Sequence, residues 1–517
     1  VTAALVAALA LAAGAPAASE LDLRGALSRL LDEDVAGTSA FLEAHAAAEP
    51  DEPNAQAALG ILRLYEQRYD EAVGLLEKAG RGEDPSGYLR IAKNAAALAR
   101  GQALFESEHF AIAYPRGKDE VLVPYLVETL EAQRQALAGD LGLAPPGRVR
   151  VEILNSPVDL ARLSSLTEGE IRASGTIALC KYNKLMIVSP KALVTGYDWL
   201  DTAAHEFTHF VVTLQTGNRA PIWLQEGIAK WSETRWRGAG GEGFSPYSAA
   251  LVRRALEAGS LVTFEQMHPS MAKLPTQELA ALAYAEVVLA VELMEQRGGR
   301  GVVGRVLALV AAGRPADQAV AEALHTGWPE FLAAWKRHMA QRPMPKGGEH
   351  ALARLRFKDD PKQAGPWAEW ADLPDQASRD HARLGQLFRE RSRWEAARQE
   401  YGKAIERAGT RVPILANQYA IAAAMSGKKA EAEKVLEEAI AWSPDYAALR
   451  VQIARLLLER KAHVAARLHL VEANRQDPFD PEIHAGLALA AEALGDPGGA
   501  SRERRFAEIL GPHGGRP

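Results

Sequence analysis

The stretch that decides the reading is DTAAHEFTHFVVTLQTGNRAPIWLQEGIAKWSE, residues 201–233. It places His205 and His209 four residues apart, with Glu206 directly after the first. A helix turns about 100° per residue, so the two imidazoles stand about 40° apart on one face, one turn above the other. Both can then reach one metal ion at about 2.0–2.1 Å. Glu206 lies about 100° round from His205. That is too far round for a third ligand, but it suits a carboxylate that holds a water and takes its proton. The bland alternative is a pair of helical histidines satisfied by ordinary hydrogen bonds.

The residues that follow favour the metal. The helix carries on through Phe210, Val211 and Leu214 and meets Gly217-Asn218, a good C-terminal cap. Pro221 then opens a second helix, as proline does at a first turn. So short a turn makes the two helices antiparallel neighbours, and Glu226 swings back towards His205 and His209. Two histidines, one carboxylate and an open fourth position make a hydrolytic zinc site. Gly227, with no side chain, lets the second helix crowd the first. Sixteen residues separate His209 from Glu226. The other common arrangement needs a glycine three and a histidine six residues past the second ligand; here those positions hold Val212 and Gln215.

Upstream, the pattern is that of strands. HFAIAYP (109–115) alternates Phe110, Ile112 and Tyr114, and RVRVEIL (148–154) alternates Val149, Val151 and Ile153. A long amphipathic helix, Glu120 to Leu141, lies between them. TIALCKYNKLMIVSP (176–190) reads as two short strands around Lys181-Tyr182-Asn183-Lys184. From Trp199 onward the chain turns helical. Residues 105–340 are therefore expected to form one mixed domain, strands first and helices after. A Pro/Gly-bearing linker, 341–375, follows it.

Both flanks carry repeats. Ala432, Ala466 and Ala500 step by 34 residues, as do Pro444, Pro478 and Pro512, and Ala439, Ala473 and Ala507. That period is the tetratricopeptide signature. HARLGQLFRERSRWEAARQEYGKAIERA (381–408) supplies an earlier unit, so the array is expected over 376–517. ALGILRLYEQRYDEAVGLLEKA (58–79) resembles one further hairpin, within a helical segment 19–104. Small residues let two antiparallel helices approach closely, and proline ends the second helix.

The 517-residue length implies several domains. A net charge of −6 gives no pointer to nucleic acid. One cysteine, Cys180, excludes an intramolecular disulfide and a multi-thiolate metal site. Val1 to Ser19 carries no charged side chain and contains Ala15-Pro16-Ala17, an A-x-A cleavage pattern. A signal peptide over 1–18 is expected, with a periplasmic or secreted protein; the alternative is an N-terminal anchor that stays attached. No later run would span a bilayer. No G-x-S-x-G elbow or G-x-x-x-x-G-K-[ST] phosphate loop occurs.

AAHEFTHFVV…PIWLQEGIAKWSE resembles the gluzincin, peptidase MA-like zinc metallopeptidases, whose domain is often fused to tetratricopeptide repeats. HFAIAYP resembles the opening strand of that domain. LAYAEVVLAVELMEQRGG (282–299), VLALVAAGRPADQAVAEAL (306–324) and WPEFLAAWKRHM (328–339) resemble its closing helices. The resemblance covers about 105–340. It implies an α+β zincin-like fold flanked by all-α repeats, Zn2+ on His205, His209 and Glu226, Glu206 as general base, and peptide-bond hydrolysis. In some gluzincins an aspartate four residues past the glutamate ligand orients a histidine; here that position is Lys230. Asp201 and Glu233 are the candidates to replace it. Tyr284 is the candidate donor to a developing oxyanion, against an ordinary packed tyrosine. LMIVSP (185–190) is expected at a sheet edge, where an extended peptide could add as a strand. His109, His325 and His338 lack partners at ligand spacing and read as ordinary residues. The expected partners are a peptide or protein substrate and a protein bound by the repeats. A non-catalytic repeat scaffold and a zinc amidase acting on cell-wall cross-links remain as alternatives.

Overall fold

Alternating apolar residues that cannot be satisfied alone must pair, and here they build one sheet in an otherwise helical chain. The computed structural model describes residues 22–80, 83–84, 86–238, 244–268, 270–271, 274–344, 356–359, 370, 373–409 and 412–511. The expected signal peptide and most of the expected linker lie outside the described residues. The chain forms two compact units. The first comprises Val1–Arg116, Val123–Val188 and Leu200–Leu352; the second comprises Gly117–Leu122, Ser189–Trp199 and Ala353–Pro517. Among the described residues no helix is long and apolar enough to cross a membrane.

The first unit begins with helices α1 (Leu23–Leu31), α2 (Ser39–Ala48), α3 (Pro53–Tyr65), α4 (Tyr69–Gly80) and α5 (Tyr88–Ala99). The α3–α4 pair is the hairpin expected from the repeat-like motif. A Cβ on Gly60 would meet Leu76 Cγ at 2.8 Å, so glycine sets how closely these helices approach. Strands β1 (Gln102–Glu106) and β2 (Phe110–Pro115) follow, then α6 (Leu122–Leu141), β3 (Val149–Leu154), α7 (Pro157–Arg162), α8 (Glu168–Ser174), β4 (Ala178–Lys181) and β5 (Lys184–Val188). The strands make a five-stranded sheet in the order β1-β2-β3-β5-β4. Pairs β2/β3 and β3/β5 are parallel; β1/β2 and β4/β5 are antiparallel. The β2–α6–β3 segment is the crossover that parallel neighbours require. The remaining helices are α9 (Trp199–Thr216), α10 (Ile222–Ser232), α11 (Pro246–Ala258), α12 (Gln277–Gly298), α13 (Val302–Ala311), α14 (Ala316–Leu324) and α15 (Trp328–Gln341).

Two features of the sheet differ from the sequence expectation. Strand β1 has no alternation to reveal it: Leu104 and Phe105 are consecutive and both exposed, and the strand crosses the division drawn at 104/105. Strand β5, expected at an edge within LMIVSP, is interior, with β3 on one side and β4 on the other. Every residue of β5 is buried, as a strand covered on both edges and faces must be. The edge belongs to β4.

One charged cluster is sealed beneath the sheet. Lys184 Nζ lies 2.7 Å from Glu152 Oε2 and 3.0 Å from the Tyr69 hydroxyl, and Tyr69 also donates to Glu152. Lys184 and Glu152 are almost fully buried. A buried charge survives only when paired, so this cluster fixes α4 against β3 and β5 in one arrangement.

The second unit holds four helical hairpins among the described residues. They are α16 (Gln376–Glu390) with α17 (Trp394–Ala408), α18 (Pro413–Met425) with α19 (Lys429–Trp442), α20 (Ala447–Glu459) with α21 (His463–Gln476), and α22 (Pro481–Ala493) with α23 (Pro497–Leu510). The periodic alanines Ala432, Ala466 and Ala500 are buried at equivalent points. Gly385 faces Tyr401, whose ring would lie 2.8 Å from an added Cβ. The segment Ser189–Trp199 packs on this array. Tyr197 N–H donates to the Gln476 carbonyl at 3.0 Å, and Trp199 Nε1 donates to the Asn474 carbonyl at 3.2 Å. Gly196 is required there, since a Cβ would fall 1.9 Å from the Gln476 oxygen.

Replacing Glu152 with leucine strands the Lys184 ammonium. The expected cost is about 3–5 kcal/mol, read as an earlier unfolding transition of the full chain in urea.

Candidate metal centre

The centre is built from a helix, a tight reversal and a second helix. Helix α9 ends because Gly217 and Asn218 both take left-handed backbone, φ 58 and 59. Asn218 N–H reaches back to the Thr213 carbonyl at 3.1 Å, which satisfies an end carbonyl of the helix. Pro221 caps α10, and the Leu224 N–H bonds its carbonyl at 3.0 Å. The reversal brings Glu226 beside the two imidazoles.

His205 Nε2 and His209 Nε2 are 3.1 Å apart, and Glu226 Oε2 is 3.4 Å from each. Metal bonds of about 2.0–2.1 Å in a tetrahedron place ligand atoms roughly 3.3 Å apart. The triangle therefore has the dimensions that three ligands of one zinc-sized ion require. The donor chemistry agrees. Glu226 Oε2 is buried and takes part in no hydrogen bond. The His205 Nδ1 atom lies 3.2 Å from Glu233 Oε2, so its proton belongs on that side and the Nε2 lone pair faces the other two ligands. Lone pairs converging in a buried space repel unless a cation lies among them. Among the described residues, this is the one such His/Cys/Asp/Glu group.

The surrounding charges favour a cation at this point, whether a metal ion or a proton on His205. Burial would lower the His205 pKa, but Glu226 and Glu233 raise it to about 10. Burial would raise Glu226, but His209 and His205 hold it well below the usual carboxylate range. Glu206 is also buried, and burial raises its pKa, with the two imidazoles opposing and Glu226 assisting. Its carboxylate lies within electrostatic reach of Cys180 on β4. Tyr284, on α12, is partly buried; burial first, then the charges of Glu226 and Glu206, push its phenol up. The phenol thus stays protonated, able to donate a hydrogen bond, within electrostatic reach of both carboxylates.

Of the two carboxylates weighed as a partner for a histidine ligand, Glu233 takes the place. It closes α10 and meets His205 directly, while Lys230 pairs with its other oxygen. Asp201 instead binds Trp236 Nε1 at 2.9 Å and the Arg237 guanidinium. The lysine at the expected aspartate position therefore supports the orienting carboxylate one turn further on.

Gly227 is needed for close packing, because an added Cβ would stand 3.0 Å from the Val287 carbonyl oxygen of α12. A buried knot, not foreseen from sequence, pins α9 to α10. Thr208 and Ser232 share a hydrogen bond of 2.9 Å, and the Gln133 amide of α6 donates to Thr208 Oγ1 at 3.2 Å and the Ser232 carbonyl at 3.0 Å. Thr208 and Ser232 stand out as polar residues on apolar helix faces, but nothing local marks Gln133. The other histidines lie in separate settings. His109 pairs with Glu131, His338 pairs with Glu292, and His325 caps α14 in left-handed backbone.

Residues 423–490 match the tetratricopeptide repeat family, so the chain contains a tetratricopeptide region. The solved first TPR of Spaghetti (RPAP3) bound to the HSP90 peptide SRMEEVD aligns at 18% identity and a TM-score of 0.23, over 24% of this chain and 98% of that one. The structure of Naa15/Naa10 bound to HypK-THB aligns at 13% identity and a TM-score of 0.20, over 96% of this chain and 63% of that one. At these scores neither likeness bears on the metal centre. No curated protein matches the chain.

Glu233→Ala frees the His205 ring and its tautomer. Zinc affinity is expected to fall about 10–100-fold, measured by competition with a chelating dye. Asp201→Asn, which touches no ligand, is expected to leave that affinity unchanged.

Proposed function

We propose that this chain is a zinc-dependent peptidase of zincin type, exported from the cytoplasm, whose tetratricopeptide region binds a protein partner or a substrate segment. One observation carries the reading: three ligand atoms on half-buried side chains converge at zinc spacing beside a second, non-ligating carboxylate, Glu206. Zinc, held by His205, His209 and Glu226, would supply Lewis acidity towards water and a carbonyl oxygen.

The remaining chemistry belongs to the chain. Glu233 orients the His205 ring and keeps the proton on Nδ1. Glu206 accepts a proton from water and passes it to the leaving amine. Burial raises its pKa, which makes it a stronger proton acceptor than an exposed glutamate. Tyr284 offers its O–H to the oxygen that gains charge as the carbonyl carbon becomes tetrahedral. A peptide substrate is favoured by the free edge of β4, which lies beside Glu206 and can accept an extended chain as an added strand.

Purified protein is expected to carry about one zinc per chain, measured by elemental analysis. Glu206→Gln should keep that zinc and lose hydrolysis of a denatured-protein panel by at least about 100-fold. Equal cleavage by parent and variant would remove Glu206 from its role. Tight, chelator-insensitive binding of panel proteins with no cleavage would support a non-catalytic scaffold instead.

A further inference from the structure

The N-terminal helices resemble a repeat hairpin, and such hairpins usually serve as docking modules. Here their contacts turn inward. The tip of the β4–β5 hairpin, Tyr182-Asn183, has left-handed backbone at both residues, φ 58 and 56. Asparagine tolerates that conformation, but a bulky tyrosine does so only when its surroundings hold it there. The holding group is Glu33, in the turn after α1. Its two carboxylate oxygens accept the Tyr182 N–H at 3.1 Å and the Asn183 N–H at 2.7 Å. Glu33 is itself left-handed, φ 70, so two strained backbones meet at one contact. The Tyr182 ring is buried edge-on against Tyr65, with centroids 5.5 Å apart.

The other end of β4 leads to the metal centre. Val188 N–H bonds the Ile177 carbonyl at 2.8 Å, and the register pairs Ala178 with Ile187 and Cys180 with Leu185. Hydrogen-bonded pairs alternate along an antiparallel ladder, so the backbone groups of Ala178 and Cys180 point away from β5. The Cys180 N–H is thereby turned outward from the sheet, and Cys180 lies within electrostatic reach of Glu206. Cys180 lies two residues before Tyr182 at the gripped tip.

We propose that the N-terminal helices act as a bracket for the β4–β5 hairpin, and that Glu33 is a positioning residue which holds the edge strand β4 in place beside Glu206. The proposal rests on the reading of Glu206 as the base. Glu33 touches neither substrate nor metal ligand; it acts by fixing the register and height of the edge strand. The segment 22–99 is then part of the hydrolytic machinery rather than a second adaptor.

The test compares full-length parent, Glu33→Ala and Glu33→Gln, all loaded with zinc. Amide hydrogen exchange by mass spectrometry is expected to speed up at least about tenfold over 178–184 in Glu33→Ala, with residues 110–115 and 149–154 unchanged. Zinc content stays the same. On casein, kcat falls about tenfold with KM within about twofold, and Glu33→Gln, which keeps one acceptor oxygen, recovers part of the loss. Exchange over 178–184 equal to the parent overturns the proposal. So does exchange that rises equally across all strands, which marks a general structural role. If Glu33→Ala does not accumulate as folded protein, Glu33→Gln carries the same comparison. If the parent cleaves nothing, the peptidase reading falls, while the exchange pattern still decides whether Glu33 holds the hairpin.

Discussion

Three ligand atoms, two imidazole nitrogens and one carboxylate oxygen, are held 3.1–3.4 Å apart on half-buried side chains. Such a cluster is costly for a protein to assemble, because each group loses water and each lone pair repels the others. The neighbouring structure supplies the constraint. The left-handed pair Gly217-Asn218 turns the chain, Pro221 restarts it, and the buried Thr208–Ser232–Gln133 knot prevents the two helices from sliding. Gly227 lets α10 lie against α12 without pushing Glu226 out of reach. A cation bound there would offset the repulsion that the fold has built.

The electrostatic arrangement extends outward in layers. Glu233 fixes one imidazole, and Lys230 fixes Glu233. On the opposite side Glu206 is buried, within electrostatic reach of the edge strand. The two carboxylates nearest the histidines are thus driven apart in basicity. Glu226, facing both rings, is held ionised, whereas Glu206, displaced round the helix, is pushed upward by burial. Such a division in basicity follows from position alone, since both residues are glutamates.

Away from the centre, the two kinds of helical hairpin serve different ends. In the second unit, small residues recur at fixed spacing and bury between successive helices, as a stacked array demands. In the first unit the hairpin α3–α4 uses the same small-residue device at Gly60, but its polar side chains enter the sheet. Tyr69 meets the Glu152–Lys184 pair, and Gln67 reaches the Tyr182 carbonyl at 3.5 Å. A shared motif therefore does not imply a shared task.

Much was legible in the residue order because it is encoded locally. The i, i+4 spacing of His205 and His209, the Gly-Asn stop, the Pro221 start and the 34-residue period each act within a turn or a hairpin. Together they determined the metal-site helices, the reversal that returns Glu226, and the repeats. Tertiary structure alone decided that Glu233 rather than Asp201 meets His205, that β4 rather than β5 lies at the edge, and that Leu104-Phe105 forms a strand. It alone decided, too, that Glu33 grips a hairpin 149 residues further along the chain. These outcomes depend on which distant surfaces pack together. A side chain's nearest partner across such a distance is set by the summed burial of whole elements, which no short pattern of residues records.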